Sequence, residues 1–230
     1  MQEGLKMVKW GGICLILLAL LTVTISIIDI SLFAYPLEGD MFIHQAITDA
    51  FSHNYGLREV LSLSSFLPLL IIPGSLGIYY HIKHLEKSRV VCAHYFAIVA
   101  MFAWLFANML WPSINWYFSQ FRYETPIPSD SLLILSGLNN LFFVYMGEYL
   151  RLLCAGVWIF LVSMAALKTS TFPKWLCTLG VVIALIFWIA LFFRIFIGNA
   201  WVIQYGLNYP LLLSLWMFLV GMVLVFKPNN

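Results

Sequence analysis

The sequence predicts an all-α fold: a polytopic bundle of six transmembrane helices, both termini cytoplasmic, with short amphipathic helices in its outer connections. Three observations predict it. Of 230 residues, 63% are hydrophobic and only 10% are charged, whereas a soluble domain carries about 25% charged residues. The mean hydropathy is +0.94. The apolar residues also gather into runs of bilayer length, at 9–33, 57–80, 91–111, 141–167, 172–197 and 207–226. So few charges cannot coat a water-facing surface, so residues 1–230 read as one integral-membrane domain with lipid as its solvent. The net charge of +2 argues against nucleic acid as a partner and leaves membrane lipids as the implied one.

The first run follows Lys6 and Lys9. It is longer than the apolar core of a signal peptide and no small-x-small cleavage site follows, which predicts a retained helix. The second contains "SLSSFLPLLIIPGSLG", in which Pro68 and Pro73 remove backbone donors and Gly74, Ser75 and Gly77 permit close approach. A kink and tight packing are expected there. The third ends at Trp111, and the fourth holds an acid and a base, Glu148 and Arg151. The fifth starts after Pro173 and the sixth ends at Phe226.

Charge sets the expected orientation. Lys6, Lys9, Lys83, Lys87, Arg89, Lys168, Lys174 and Lys227 all fall on one side of six spans, which makes that side cytoplasmic. Glu38, Asp40, Asp49, Glu59, Glu124 and Asp130 fall on the other. The layout suits a bacterial inner membrane.

Two outer connections are long. In residues 34–56, Phe42, Ile43, Ala46, Ile47, Ala50 and Phe51 recur at helical spacing, with Asp40 as N-cap and Gly56 as stop. This predicts an amphipathic surface helix. Residues 112–140 carry "PSINWYFSQFRYETPIP", rich in the aromatic residues that favour the headgroup layer. Ser129 or Asp130 is expected to cap a short helix leading into the fourth span.

With this topology the intramembrane polar residues share one depth. Asp29, Asn108, Glu148, Arg151, Arg194 and Asn199 all fall in the outer leaflet. An ionised side chain at the bilayer centre costs about 2.5–3.5 kcal/mol on insertion scales, so such residues want partners. Glu148 and Arg151, three apart, are expected to share a helix face and pair. Together the six predict a polar outer-leaflet pocket that binds a small molecule or lipid, as in a transporter-like or sensor module. Two alternatives stay open. One is an intramembrane enzyme acting on a lipid or isoprenoid, with Glu148 or Asp29 as acid/base and Arg151 or Arg194 holding an anionic head. The other is an assembly protein whose charges are structural.

No metal site and no cofactor are expected. His81, His84 and His94 belong to a basic inner connection. Asp40/His44 and Asp49/His53 are each four apart, but the pairs are nine residues out of step and cannot converge from one straight helix. Cys14, Cys92, Cys154 and Cys177 all sit in apolar runs without a CxxC spacing, as packing residues do. Walker, GxSxG and GxGxxG motifs are absent, and no matched pair of broken helices marks an inverted repeat.

Phe172–Gly180 reads "FPKWLCTLG". This P-x-W-L-x-x-L-G turn, the long first outer connection and the acid-and-base-bearing fourth helix resemble a group of uncharacterised bacterial six-helix membrane proteins that share a domain of unknown function. The resemblance implies the same bundle and brings no activity or site residues.

Overall fold

The structure is a computed structural model that describes residues 2–33, 63–84, 86–124, 134, 137–138, 140–197 and 209–227. The first outer connection, residues 34–56, and the expected capping residues Ser129 and Asp130 lie outside the described residues. The described part is helical throughout: α1 (Gln2–Phe33), a 3₁₀ turn (Leu67–Leu70) running into α2 (Ile71–Ile82), α3 (Lys87–Glu124), a π-helix (Asn140–Leu150) running into α4 (Arg151–Thr169), α5 (Lys174–Ile197) and α6 (Tyr209–Phe226).

Four helices are long and apolar enough to cross a membrane, over Glu3–Ile27, Lys87–Leu110, Tyr145–Thr169 and Lys174–Phe193. Two apolar helices are shorter, Leu67–Ile82 and Leu211–Phe226. Large apolar side chains face outward along the bundle, among them Leu20, Ile27, Tyr95, Ile189, Phe192 and Phe196. In water such a surface would aggregate, and in lipid it is solvated.

Each helix packs on the next in sequence, and α1 packs on α6, so the six close into a ring of neighbours. The closest approaches are made by glycine. A Cβ on Gly11 would stand 2.5 Å from the Gly77 Cα, and one on Gly12 would stand 2.8 Å from the Gly221 carbonyl oxygen. The adjacent glycines of α1 thus meet α2 on one side and α6 on the other. Lipid tails supply no hydrophobic drive for helix association, so small residues that admit backbone contact take over that role. Gly74 belongs to the same seam, its missing side chain filled by Leu15.

On α3 the buried positions Ala93, Ala97, Ala100, Trp104 and Ala107 form one stripe. Four are small, and Trp104 is the exception. The centre of the bundle is aromatic, with Trp158 and Trp216 edge to face at 5.6 Å.

The resembling motif is a packing junction. Ser170 ends α4 with φ 53°, a left-handed conformation that closes helices and suits glycine or asparagine better than serine. The chain then turns so that Phe172 stacks on buried His81. Leu176 and Cys177 are buried. Gly180 sits against Ser163 and Trp216 with no room for a Cβ. Ser75 Oγ and His94 Nδ1 share a 2.8 Å hydrogen bond between α2 and α3.

One boundary differs from the sequence reading. α3 does not stop at Trp111 but continues to Glu124, so the first part of the expected outer connection is helix. Pro112 should interrupt it, because proline has no N–H for the carbonyl four residues back. That carbonyl belongs to Asn108, and it accepts a 2.8 Å hydrogen bond from the Ser65 hydroxyl. A neighbouring serine thus satisfies the group that proline frees, and the helix runs on. Ser65→Ala is expected to cost about 1–2 kcal/mol, the toll of an unsatisfied buried carbonyl. Adding Pro112→Ala, which restores the N–H, should recover most of it. Thermal unfolding of the single and double variants in detergent measures this; equal losses in both backgrounds would refute the pairing.

At the end of the bundle where α1 begins, Glu86 pairs with Lys168 of α4 and lies 4.0 Å from Arg89. Lys83 lies 4.0 Å above the Tyr80 ring. The hydrogen bond and charge of Lys168, with a smaller contribution from Arg89, hold the Glu86 carboxyl below its ordinary value of 4.5. A carboxyl lowered by folding contributes stability above its unfolded pKa and loses it as pH falls through the folded one. The melting temperature should therefore fall on acidification below the ordinary carboxylate value, and Glu86→Gln should remove that part of the pH dependence. A variant curve parallel to the wild type would show the bridge to be idle.

Candidate functional site

At the opposite end the bundle is not sealed. A cavity of ≈ 250 Å³ is lined by Thr22, Ile25 and Ser26 of α1, Ser64 and Leu67 ahead of α2, Trp104, Ala107 and Asn108 of α3, and Gly147, Glu148 and Arg151 where the π-helix runs into α4. The local helix geometry explains this meeting. Thr22, Ile25 and Ser26 follow the i, i+3, i+4 spacing that puts residues on one face. Trp104, Ala107 and Asn108 do the same on α3. The fourth wall is the C-terminal part of the π-helix and the first residue of α4. π-Helical turns are rare and concentrate at functional sites.

Of the sequence-predicted residues, Asn108, Glu148 and Arg151 come together here. Asp29 lies on α1 and Arg194 on α5, with side chains outside the described residues; Asn199 is outside them altogether. Among the described residues no three His, Cys, Asp or Glu side chains gather as metal ligands.

Glu148 and Arg151 do not pair with each other. The ion pairs among the described residues are those of Glu86. The expectation assumed α-helical spacing, in which residues three apart share a face. Glu148 instead sits in the π segment and Arg151 begins the α segment. The i→i+5 bonding widens the turn and changes the angle between successive side chains. The two charges therefore line the same cavity at different points of its wall. Arg151 lies over the Trp104 ring with its Cζ 5.4 Å from the centroid, a cation–π arrangement that gains strength away from water. Glu148 is engaged in an interaction of its own.

Thr22, Ser26, Ser64 and Trp104 were not singled out from the sequence. A faint signal for the first two exists in "LLTVTISIID", where hydroxyl residues recur in the otherwise apolar second half of α1. For Trp104 the signal is its size within the alanine stripe. The Thr22 hydroxyl is buried and has no hydrogen-bond partner, although its residue lines the cavity. A buried hydroxyl without a partner costs about 1–3 kcal/mol.

No protein-family model, no curated protein and no solved structure matches the chain.

A double-mutant cycle checks the separation of the two charges. Glu148→Gln and Arg151→Met should each lower thermal stability on their own account, and the double variant should not recover the loss of either single one. Strong recovery in the double variant would mean that the pair is structural glue after all.

Proposed function

We propose that this is a multi-pass inner-membrane protein with six spans and cytoplasmic termini, whose outer-leaflet cavity binds a small molecule or a lipid headgroup. The two shorter helices complete the six spans because both pack along α1, itself of bilayer length. α6 alone, at 18 residues, is about 27 Å long, close to the hydrocarbon thickness. The basic residues at the Glu86 end support a cytoplasmic assignment for that end, which puts the cavity in the outer leaflet.

The observation that carries the binding reading is the convergence of polar side chains from four helical segments on one ≈ 250 Å³ cavity. Polar groups inside a membrane are costly and mark functional sites by default. The volume is a little below the range of about 300–1,000 Å³ usual for drug-sized ligands, so the occupant is a small molecule or the polar part of a larger one.

Ala107 is buried and lines the cavity without a polar group. Ala107→Phe should fill the space and leave the charges intact. Native mass spectrometry of the wild type in mild detergent is expected to show a co-purifying species, and the variant should lose it while remaining folded. A wild type without any such species, or a variant that retains it at full stoichiometry, would overturn the reading.

A further inference from the structure

Resting on that binding reading, we propose that the cavity selects an oxyanion, a phosphate or carboxylate group, and that Arg151 anchors it.

The donor inventory carries the inference. A guanidinium offers five N–H donors and no acceptor. The Arg151 contact is with the face of the Trp104 ring, which consumes none of those donors. Among the described residues no carboxylate lies within ion-pair distance of it. Thr22 adds a buried hydroxyl with no partner. Ser26 and Asn108 line the same space and can each donate. Glu148 is the acid among the described lining residues; it has an interaction of its own, and its buried Oε2 is an acceptor on the same wall, suited to a proton that a phosphate monoester or a protonated acid carries. Donors outnumber that acceptor, and the cation among them is held in place by an aromatic ring.

The chemistry that matches such a wall is a group with several acceptor oxygens and a negative charge. Arginine binds phosphate and carboxylate through parallel N–H···O bonds. In the low dielectric of a bilayer an ionised guanidinium is costly without an anion nearby, and an incoming oxyanion removes that cost. The same oxyanion accepts from the Thr22 hydroxyl. A neutral ligand would satisfy the hydroxyls but offer the guanidinium no charged acceptor. The volume of ≈ 250 Å³ equals on the order of eight waters. That accommodates a headgroup phosphate or a small free anion and excludes the acyl chains of a lipid, which would stay outside in the leaflet.

Isothermal titration calorimetry on the full-length protein in an uncharged detergent tests this with three probes: dihexanoyl phosphatidic acid, dihexanoylglycerol and inorganic phosphate. Dihexanoyl phosphatidic acid should bind, and dihexanoylglycerol, with the same chains and no phosphate, should not. Arg151→Met should weaken binding about tenfold or more, since a charged hydrogen bond is lost, and Arg151→Lys should weaken it less. If inorganic phosphate binds with the same Arg151 dependence, the ligand is a free oxyanion; if only the lipid form binds, it is a headgroup. Either supports the proposal.

Equal binding of dihexanoylglycerol and dihexanoyl phosphatidic acid to the wild type would overturn it, and that comparison needs no variant to fold. Wild-type affinity for dihexanoyl phosphatidic acid in Arg151→Met would overturn it too. So would binding of none of the probes. In each case the binding reading survives if the species sensitive to Ala107→Phe is present, and falls with the inference if it is not.

Discussion

Two backbone contacts organise this bundle: Gly11 against Gly77 and Gly12 against Gly221. Because the two glycines are consecutive on α1, they face different neighbours and pin α2 and α6 to the same level of one helix. In lipid the approach of backbones supplies the packing energy that water would supply to a soluble core. A side chain at any of these four positions would push two helices apart. The seam lies toward the start of α1 and the ends of α2 and α6. It seals the end of the bundle where Glu86 ties the α2–α3 connection to α4.

The opposite end is built from irregular backbone. There α2 is preceded by a 3₁₀ turn, α3 continues past a proline, and the fourth span opens as a π-helix. Irregular backbone inside a membrane persists only where protein or a cavity satisfies its polar groups. The Ser65 hydroxyl does so for the Asn108 carbonyl, and residues of the 3₁₀ turn, of α3 just before its proline and of the π-helix border the cavity. Tight glycine packing at one end and widened helical turns at the other give the bundle a closed half and an open half. Polar side chains in the open half therefore face a shared space rather than lipid.

The π-to-α junction also decides what the opening charges of the fourth span do. In a continuous α-helix Glu148 and Arg151, three apart, would share a face and could pair. The junction separates them, so that Arg151 rests on Trp104 and Glu148 makes a different interaction. Trp104 is the one large residue in the alanine stripe of α3. Its bulk stands where the wall of the cavity needs an aromatic surface.

Much of the fold was legible in the residues. Apolar length located the helices of the described residues, because the bilayer demands it, and Gly74, Ser75 and Gly77 announced close packing on α2. Asn108, Glu148 and Arg151, which line the cavity, were legible as unusual residues, since polar groups in an apolar run stand out. Less legible were the end of α3 and the contributions of Thr22, Ser26 and Ser64. Proline at 112 signals a stop, and only a serine from another helix cancels it. Hydroxyl residues are common in membrane helices, and spacing alone does not show which face meets a cavity. By itself the sequence determined that the described residues are helical and where those helices lie, because hydropathy and charge act locally along the chain. Only the tertiary structure decided that Asn108, Glu148 and Arg151 line one space and that Arg151 faces a tryptophan instead of Glu148. Those outcomes depend on the angle of a π-helical turn and on contacts between distant helices.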